Sequence, residues 1–350
     1  MKISKITTLT LAAAIVATSA LAQATKEEKL KEKGDLAKLE EGWTKKAGLG
    51  LGLDQTALIN PRLGAGNEQI GVRGILSGSA TYHHGRMSWD NVGVMQFGIQ
   101  KIGSLGVSLS DVPFTKSVDN LQLGSKFGYS LADNSPFYYS VASTFRSQLS
   151  ATYVGNTLTP RAGLEGSGIY PIASDFFSPA LFTLAPGIDY KPTENFSVMF
   201  SPATLRMLFV MNENIAKTGV MGNRVFKDDA GTITNPGKIT TQLGASLAVS
   251  YKESFFDKKI NFQTSLNLFN NYLYKPQNII VDWGTTTKFN IFKGWGVAVS
   301  TNLWYDDNVD VIKKDSGGLG TPAIGLPVGY RLGKGTQFVE GLFVTYDRTF

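Results

Sequence analysis

The chain has 350 residues, 38 glycines, no cysteine and a formal net charge of +6. Without cysteine, neither a disulfide framework nor a thiolate metal site can form. The mean hydropathy of −0.05 excludes a bundle of membrane-spanning helices. A mild positive charge without a basic cluster gives no support for nucleic-acid binding.

The first 22 residues have the three parts of a secretory signal peptide. Lys2 and Lys5 form a short positive region, residues 6–18 are mostly apolar, and Ala20-Leu21-Ala22 is an A-x-A cleavage site. An uncleaved membrane anchor is the weaker alternative, because the apolar run is short. We therefore predict that residues 1–22 are removed and that the mature chain is exported.

Residues 23–43 form a second predicted unit, rich in lysine and glutamate at three- and four-residue spacing. Such spacing suits a solvated helix, but Leu30, Leu36 and Leu39 do not form an apolar stripe. The segment is interpreted as a flexible periplasmic extension. The alternative is a helix that docks on a partner protein or enters the mouth of a barrel.

From Trp43 onward, alternating apolar and polar residues recur in segments of ten or more residues. The clearest example is INFQTSLNLF, in which Phe262, Leu266 and Leu268 alternate with Gln263 and Asn267. This period of two is that of a β-strand with one apolar face. The sequence predicts twelve such strands: about 44–55, 69–82, 89–101, 117–131, 136–153, 175–190, 195–205, 239–251, 259–270, 279–292, 295–306 and 337–350.

The connections alternate between short turns and long loops, as they do in outer-membrane barrels. The short ones read HHGRMS, ADNS, KPTE, KESFFDK and KG. They are predicted to face the periplasm, with the longer connections, such as 206–238 and 307–336, outside. The chain ends in Phe350, which resembles the terminal signal of bacterial outer-membrane barrels and predicts contact with the barrel-assembly machinery.

These patterns predict an all-β fold: a transmembrane antiparallel β-barrel of about twelve strands over residues 44–350. The apolar faces would contact outer-membrane lipid and lipopolysaccharide in a Gram-negative type of envelope, and the amide-rich faces would line the lumen. A soluble β-sandwich is the alternative. It is disfavoured because strands of about 12–18 residues exceed the usual 5–6.

Several pieces of the chain from about residue 120 onward resemble a known family. They include FRSQLSATY, ASDFFSPALFTLAPGIDYKP, FSVMFSPAT, QLGASLAVSY and NLFNNYLYKPQNIIVDW. The sequence is similar to outer-membrane β-barrel proteins of Bacteroidota that carry only a domain-of-unknown-function label, and residues 44–115 match more loosely. The resemblance implies an outer-membrane barrel and no particular activity.

The alternation assigns polar side chains of both charge signs to the lumen. A salt-bridged, amide-filled interior that closes the barrel and a narrow polar pore that favours anionic solutes are both compatible with it. The predicted lumen-lining residues are Lys126, Arg146, Gln148, Asn261, Gln263, Asn267, Asp282, Lys288 and Asn290.

No catalytic, cofactor-binding or metal-binding residues are predicted. His83 and His84 are the only histidines; they lie in a predicted periplasmic turn and lack a G-x-S-x-G nucleophile motif. Asp306, Asp307 and Asp310 have a spacing like that of oxygen ligands for Ca²⁺, but without the glycine and final glutamate of an EF-hand. A solvated acidic loop is the preferred interpretation, and cation binding stays open.

Two classes of function therefore compete. The first is a transport protein with a solute path through the polar lumen. The second is a structural or interaction subunit with a filled barrel, whose outer loops or N-terminal extension contact a protein partner. An enzyme is not predicted.

Overall fold

The computed structural model describes residues 41–56, 69–102, 110–133, 135–153, 156–159, 172–193, 195–219, 221–229, 231, 233–292, 295–307, 311–314 and 330–349. The predicted signal peptide 1–22, nearly all of the predicted extension 23–43, Asp310 and Phe350 lie outside the described residues. Among the described helices, none is long and apolar enough to cross a membrane.

Within the described residues, twelve long strands pair antiparallel into one closed barrel. The barrel strands are β1 (Gly42–Thr56), β2 (Gln69–His84), β3 (Met87–Ile102), β4 (Thr115–Ser130), β5 (Phe137–Ser147), β8 (Ala180–Thr193), β9 (Phe196–Phe209), β12 (Ile239–Phe255), β13 (Ile260–Asn271), β14 (Ile279–Phe292), β15 (Trp295–Tyr305) and β18 (Thr336–Thr349). Their order around the barrel is β1-β18-β15-β14-β13-β12-β9-β8-β5-β4-β3-β2. Each barrel strand therefore pairs with the long strands before and after it in the chain, and β1 pairs with β18 to close the barrel.

Shorter elements occupy the long connections. They are the hairpins β6 (Thr152–Tyr153) with β7 (Ile172–Ser174), β10 (Val225–Lys227) with β11 (Ile233–Pro236), and β16 (Val311–Lys314) with β17 (Tyr330–Gly333), and helix α1 (Glu213–Thr218). Asn212 caps α1 by accepting a hydrogen bond from the Asn214 amide, and Gly219 ends it in the left-handed conformation. Val210, Ile215 and Ala216 form a small apolar core there. The described part of the connection between β9 and β12 therefore has its own small core.

The twelve predicted segments coincide with the twelve barrel strands. The largest differences are at 136–153, where β5 ends at Ser147, and at 175–190, where β8 begins at Ala180. After Ser147 the chain leaves the ladder because the Asp119 carboxylate accepts hydrogen bonds from the amides of Leu149 (2.7 Å) and Ser150 (3.1 Å). Those amides are thus satisfied by a side chain instead of a strand partner.

The two faces of the barrel differ in polarity. Large apolar side chains are exposed on the outward face, such as Leu51 on β1, Trp283 on β14 and Val344 on β18. Inward positions carry buried polar side chains such as Gln96 and Thr286. A polar interior and an apolar exterior are what a closed sheet in a bilayer requires. The predicted transmembrane antiparallel β-barrel is confirmed.

Two glycines allow the strands on either side of β9 to shift register. The β8–β9 pairing shifts between Leu184 and Ile188, and a Cβ on Gly187 would lie 2.1 Å from the Phe200 carbonyl oxygen. A Cβ on Gly244, where the β9–β12 pairing shifts, would lie 1.7 Å from the Asn270 carbonyl oxygen. Only glycine permits such close backbone approach at these bulges.

Substitutions at two adjacent residues of β13 test which face of the barrel meets lipid. Leu266 pairs with the exposed, outward Trp283, whereas Asn267 pairs with Asp282 on the inward face. We expect Leu266→Arg to cost about 2–4 kcal/mol of folding free energy, because an arginine then faces lipid near mid-membrane. Asn267→Arg should fold like the unmodified chain, since Asn267 is exposed on the inward side. The heat-dependent gel shift of the folded barrel measures both, and equal folding of the two variants would contradict the assignment of faces.

Candidate functional site

Most of the predicted lumen-lining residues lie on the inward faces of the barrel strands. Lys126 lies on β4 and Arg146 on β5. On β13 and β14, Asn261 is directly opposite Lys288, and Asn267 is opposite Asp282. Gln263 and Lys288 are buried. The lumen is thus lined by amide and charged groups contributed by neighbouring strands.

Two of the predicted residues stabilise a short turn. The Asn290 side chain donates a 2.8 Å hydrogen bond to the Lys258 carbonyl, in the turn between β12 and β13. Asn261 accepts a 2.8 Å hydrogen bond from the Ser254 hydroxyl on the neighbouring strand. These contacts explain why amides occur at the short-turn end independently of any solute.

Gln148 lies just beyond the end of β5, at the end of the barrel with the long connections. Its side-chain oxygen accepts hydrogen bonds from the hydroxyls of Ser174 (2.8 Å) and Thr152 (3.3 Å). It therefore joins the β6–β7 hairpin to the barrel. Nearby, the fully buried Lys116 ammonium donates to Asp119 and to the Ser150 carbonyl.

An ion-paired triad lies in the half of the lumen nearer the short turns. The Asp189 carboxylate is fully buried and pairs through Oδ2 with the ammonium groups of Lys126 and Lys191, the latter at 3.3 Å. One negative charge is thus shared by two positive charges. The triad links β4 to β8 across β5, where Lys126 is opposite Ala142.

A second charged cluster lies further from the short turns and contains two arginines. Asp306, just past the end of β15, attracts Arg206, and Asp282 attracts both arginines. Arg206 is also close enough to Arg146 for the two positive charges to repel. The Arg206 guanidinium also lies over the Phe269 ring, 5.3 Å from its centroid. Within the described part of the chain, neither guanidinium forms a hydrogen bond or a close ion pair with a carboxylate. We call Arg146 and Arg206 the arginine pair.

Arg206 was missed by the sequence analysis, which ended the seventh strand at residue 205. The strand continues to Phe209, and Arg206 pairs with Gln242 on one side and Thr183 on the other. The alternation itself continues past residue 205, since Leu205 and Met207 flank Arg206. A strict period of two from Phe196 and Phe200 would have placed Arg206 on the lipid-facing side. The register shift between Ser201 and Thr204 brings it to the inward face, and the sequence pattern alone does not show that shift.

The lumen is tightly packed at several levels. Gln96 is 2% exposed and Asn120 1% exposed, although both occupy inward positions. The Gln96 amide makes no hydrogen bond to any described residue. Asn267, by contrast, is exposed. The interior therefore combines filled levels with local open space.

The histidine and aspartate residues that could suggest a metal site contact neighbouring side chains of the fold. His83 and His84 are the last two residues of β2, so they belong to a strand end rather than to the turn, and His84 Nδ1 lies 3.5 Å from the Glu41 carboxylate. The Asp307 carboxylate accepts hydrogen bonds from Asn278 (2.7 Å) and Tyr305 (3.1 Å). Among the described residues, no three histidine, aspartate or glutamate side chains are grouped as metal ligands would be.

Comparison with known families gives one match. A family model described as "Protein of unknown function (DUF3078)" matches residues 53–153, which is less than a third of the chain. The matched region runs from the end of β1 through β6 and includes the FRSQLSATY piece. The unknown-function label of the resemblance is confirmed. The match covers residues 53–115, where the sequence resemblance is looser, and residues 116–153, which include the first of the quoted pieces. No curated protein matches the sequence.

Solved structures of similar shape are outer-membrane proteins. An outer membrane channel from Pseudomonas putida F1 is 13% identical, with a TM-score of 0.37, over 91% of this chain and 99% of that one. The β domain of the Bordetella autotransporter BrkA is 11% identical, with a TM-score of 0.33, over 89% and 100%. An anion-selective porin from Comamonas acidovorans is 10% identical, with a TM-score of 0.28, over 89% and 100%. Since all three TM-scores are below 0.5, the barrel assignment rests on the strand pairing described above.

The triad predicts a stability effect. Asp189→Asn should lower the free energy of unfolding by about 3 kcal/mol, the lower end for a broken buried ion pair, because both lysines are partly exposed to water. Urea titration of the barrel in lipid vesicles measures the change. In the double variant Asp189→Asn/Lys126→Met, one unpaired charge is removed as well, and part of the stability should return. A double variant that loses the full sum of the two single effects would contradict the coupling.

Proposed function

We propose that this protein is an outer-membrane β-barrel with a narrow polar path for small anionic solutes. The observation that supports this most directly is the sign of the charge on the inward face. Among the inward side chains that the structure describes, basic groups outnumber acidic ones. The basic groups are Lys46, Arg73, Lys126, Arg146, Lys191, Arg206, Lys252 and Lys288, and the acidic groups are Asp90, Asp189, Asp282 and, just past the end of β15, the buried Asp306.

The arginine pair is the best candidate for the point where a solute is recognised. Two guanidinium groups that repel each other in a partly buried site are stabilised when an anion comes between them. The planar donor groups of arginine match carboxylate and phosphate oxygens. A small carboxylate or phosphate ester fits this chemistry.

A filled barrel with a structural or interaction role is the second candidate. The tight packing of Gln96, Asn120, Thr286 and Asp189 on the inward side favours it. A twelve-strand barrel lies between the filled eight-strand type and open porins of 16–18 strands, so strand number does not decide between the two. In this case the long-connection end or the N-terminal extension 23–43 would contact a protein partner. Neither candidate is an enzyme.

Location and origin belong to the same proposal. The signal peptide predicted at 1–22, an apolar outer wall and strands of 11 to 17 residues support placement in the outer membrane of a Gram-negative envelope. Insertion would use the barrel-assembly machinery through β18. The quoted sequence pieces support a Bacteroidota source.

Conductance through planar bilayers tests the solute path. The purified barrel should conduct, and under a KCl gradient its reversal potential should show a preference for chloride. Arg146→Gln together with Arg206→Gln should reduce that preference, because it removes two positive charges that have no direct carboxylate contact among the described residues. Lys45→Gln is the matched control: it removes one positive charge from the outward face of β1 and should leave selectivity unchanged.

A folded barrel that does not conduct would overturn the channel proposal and favour the filled-barrel role. Folding is checked independently by the gel shift. If the arginine double variant and the unmodified protein have equal selectivity, the protein is a channel whose selectivity does not come from the arginine pair.

Cysteine labelling tests the proposed orientation, since the chain has no native cysteine. Asn214 is exposed on helix α1 at the long-connection end, and Thr193 is exposed at the short-turn end of β8. An impermeant maleimide should label Asn214→Cys in intact cells and Thr193→Cys only after permeabilisation. The opposite pattern would place the short turns outside the cell.

A further inference from the structure

A groove on the outer wall crosses strands β1 to β5 in the half of the barrel nearer the short turns. Its floor is a row of directly paired residues without bulky side chains, Ala47, Gly78 and Gly93. The same row continues into Leu123 and Phe145, which form one wall. The groove has a volume of about 730 Å³ and is lined almost entirely by apolar atoms. We call it the outer-wall groove.

Exposed apolar side chains border the groove on the side of the mid-membrane. They belong to the next outward row, in which Leu76 on β2 is paired with Met95 on β3. Leu76 is 52% exposed and Met95 42% exposed. The groove is therefore an elongated apolar depression in the wall that faces lipid, with the shape and polarity suited to a hydrocarbon chain.

A row of polar residues lies on the other side of the groove, toward the short turns. Lys45 is paired with Ala80, which is paired with Asn91, and Ser125 follows on β4. The Ser125 hydroxyl donates to the Asn91 side chain (2.8 Å), and the Asn91 amide donates to the Ala80 carbonyl (3.3 Å). Polar groups on a lipid-facing wall cost free energy unless they are paired, which explains this network.

Lys45 belongs to the same row but is not part of this hydrogen-bond network. Its side chain is exposed on the outward face, and it has no carboxylate partner among the described residues. The neighbouring Lys46 points inward, since successive residues of a strand point to opposite faces. An outward lysine beside an apolar groove supplies one positive charge where anionic groups of lipid are concentrated.

Aromatic side chains fix the depth of Lys45 in the bilayer. One row closer to the short turns, Trp43 is paired with Tyr82, which is paired with Trp89. The ring centroids of Trp43 and Tyr82 are 5.2 Å apart, and those of Trp43 and Trp89 are 5.7 Å apart. Clusters of tryptophan and tyrosine lie at the headgroup level of the membrane. Lys45 is therefore one row from the headgroups, within reach of a phosphate.

We propose that the outer-wall groove is a binding site for a phospholipid of the leaflet at the short-turn end. The phosphate pairs with the Lys45 ammonium, and one acyl chain lies along the floor formed by Ala47, Gly78 and Gly93. A second copy of this chain is a poorer occupant, because a symmetric contact over the groove would bury the unpaired Lys45 charge. The site is on the opposite side of the wall from the lumen and does not depend on solute conduction.

Native mass spectrometry of the barrel with added phosphatidylglycerol tests the phosphate contact. Lys45→Ala should reduce the retained lipid about five-fold, the effect of one basic residue near an anionic membrane surface. Lys46→Ala is the matched control, because it removes an adjacent lysine that faces inward, and it should retain lipid like the unmodified protein. A diacylglycerol without phosphate should bind weakly to all three proteins.

The acyl-chain contact is tested by filling the groove. A side chain added at Gly78 points outward into the groove, where the nearest atom to a Cβ is 3.9 Å away. Gly78→Leu should therefore fold and lose lipid. Gly74→Leu is the matched control: Gly74 lies on the same strand and face, outside the groove, with no atom within 4 Å of a Cβ. All variants are first shown to be folded by the gel shift.

Three results would overturn the proposal. The first is equal phosphatidylglycerol retention in Lys45→Ala and the unmodified protein, and the second is equal loss in Lys45→Ala and Lys46→Ala. The third is a dimer that carries no lipid and that Gly78→Leu converts to a monomer, which would assign the groove to a second copy of the chain.

Discussion

Backbone pairing around a closed sheet is the constraint on which the rest of this structure depends. In lipid, an unpaired amide or carbonyl costs several kcal/mol, so β1 must meet β18, and it does so from Gly48 to Leu51. Closure fixes an inside and an outside. Because side chains alternate, each residue of a strand is then assigned to one of two environments. The polar lumen and the apolar wall are two consequences of a single pairing.

The lumen shows how buried charge is managed within that constraint. Asp189 is shared between Lys126 and Lys191, and Asp90 is directly opposite Lys126 on the neighbouring strand. Further along, Arg146 and Arg206 have longer-range attraction to carboxylates without direct contact. One cluster is largely internally paired, and the other has no direct carboxylate contact among the described residues. This difference separates a stabilising role from the recognition role proposed for the arginine pair.

At the outer-wall groove, a polar row and a row of small residues follow each other beside an aromatic row. Asn91 and Ser125 satisfy each other, and the small residues at Ala47, Gly78 and Gly93 thin the wall. Neither feature is needed for closure, since leucine at these positions would face lipid equally well. Their combination with an outward lysine is best explained by a phospholipid that belongs to this site.

The sequence by itself determined the strands, their number and their faces, because a period of two survives without tertiary information. It also assigned Lys126, Arg146 and Asn267 to one face of their strands. It did not show the register shift in β9 that brings Arg206 to the inward face. It also did not give the end of β5, where the Asp119 carboxylate takes the Leu149 amide out of the ladder. Only the tertiary structure decided which side chains meet. The Asp189 triad, the arginine pair and the outer-wall groove each join residues from strands far apart in sequence, and their contacts depend on the register around the closed barrel.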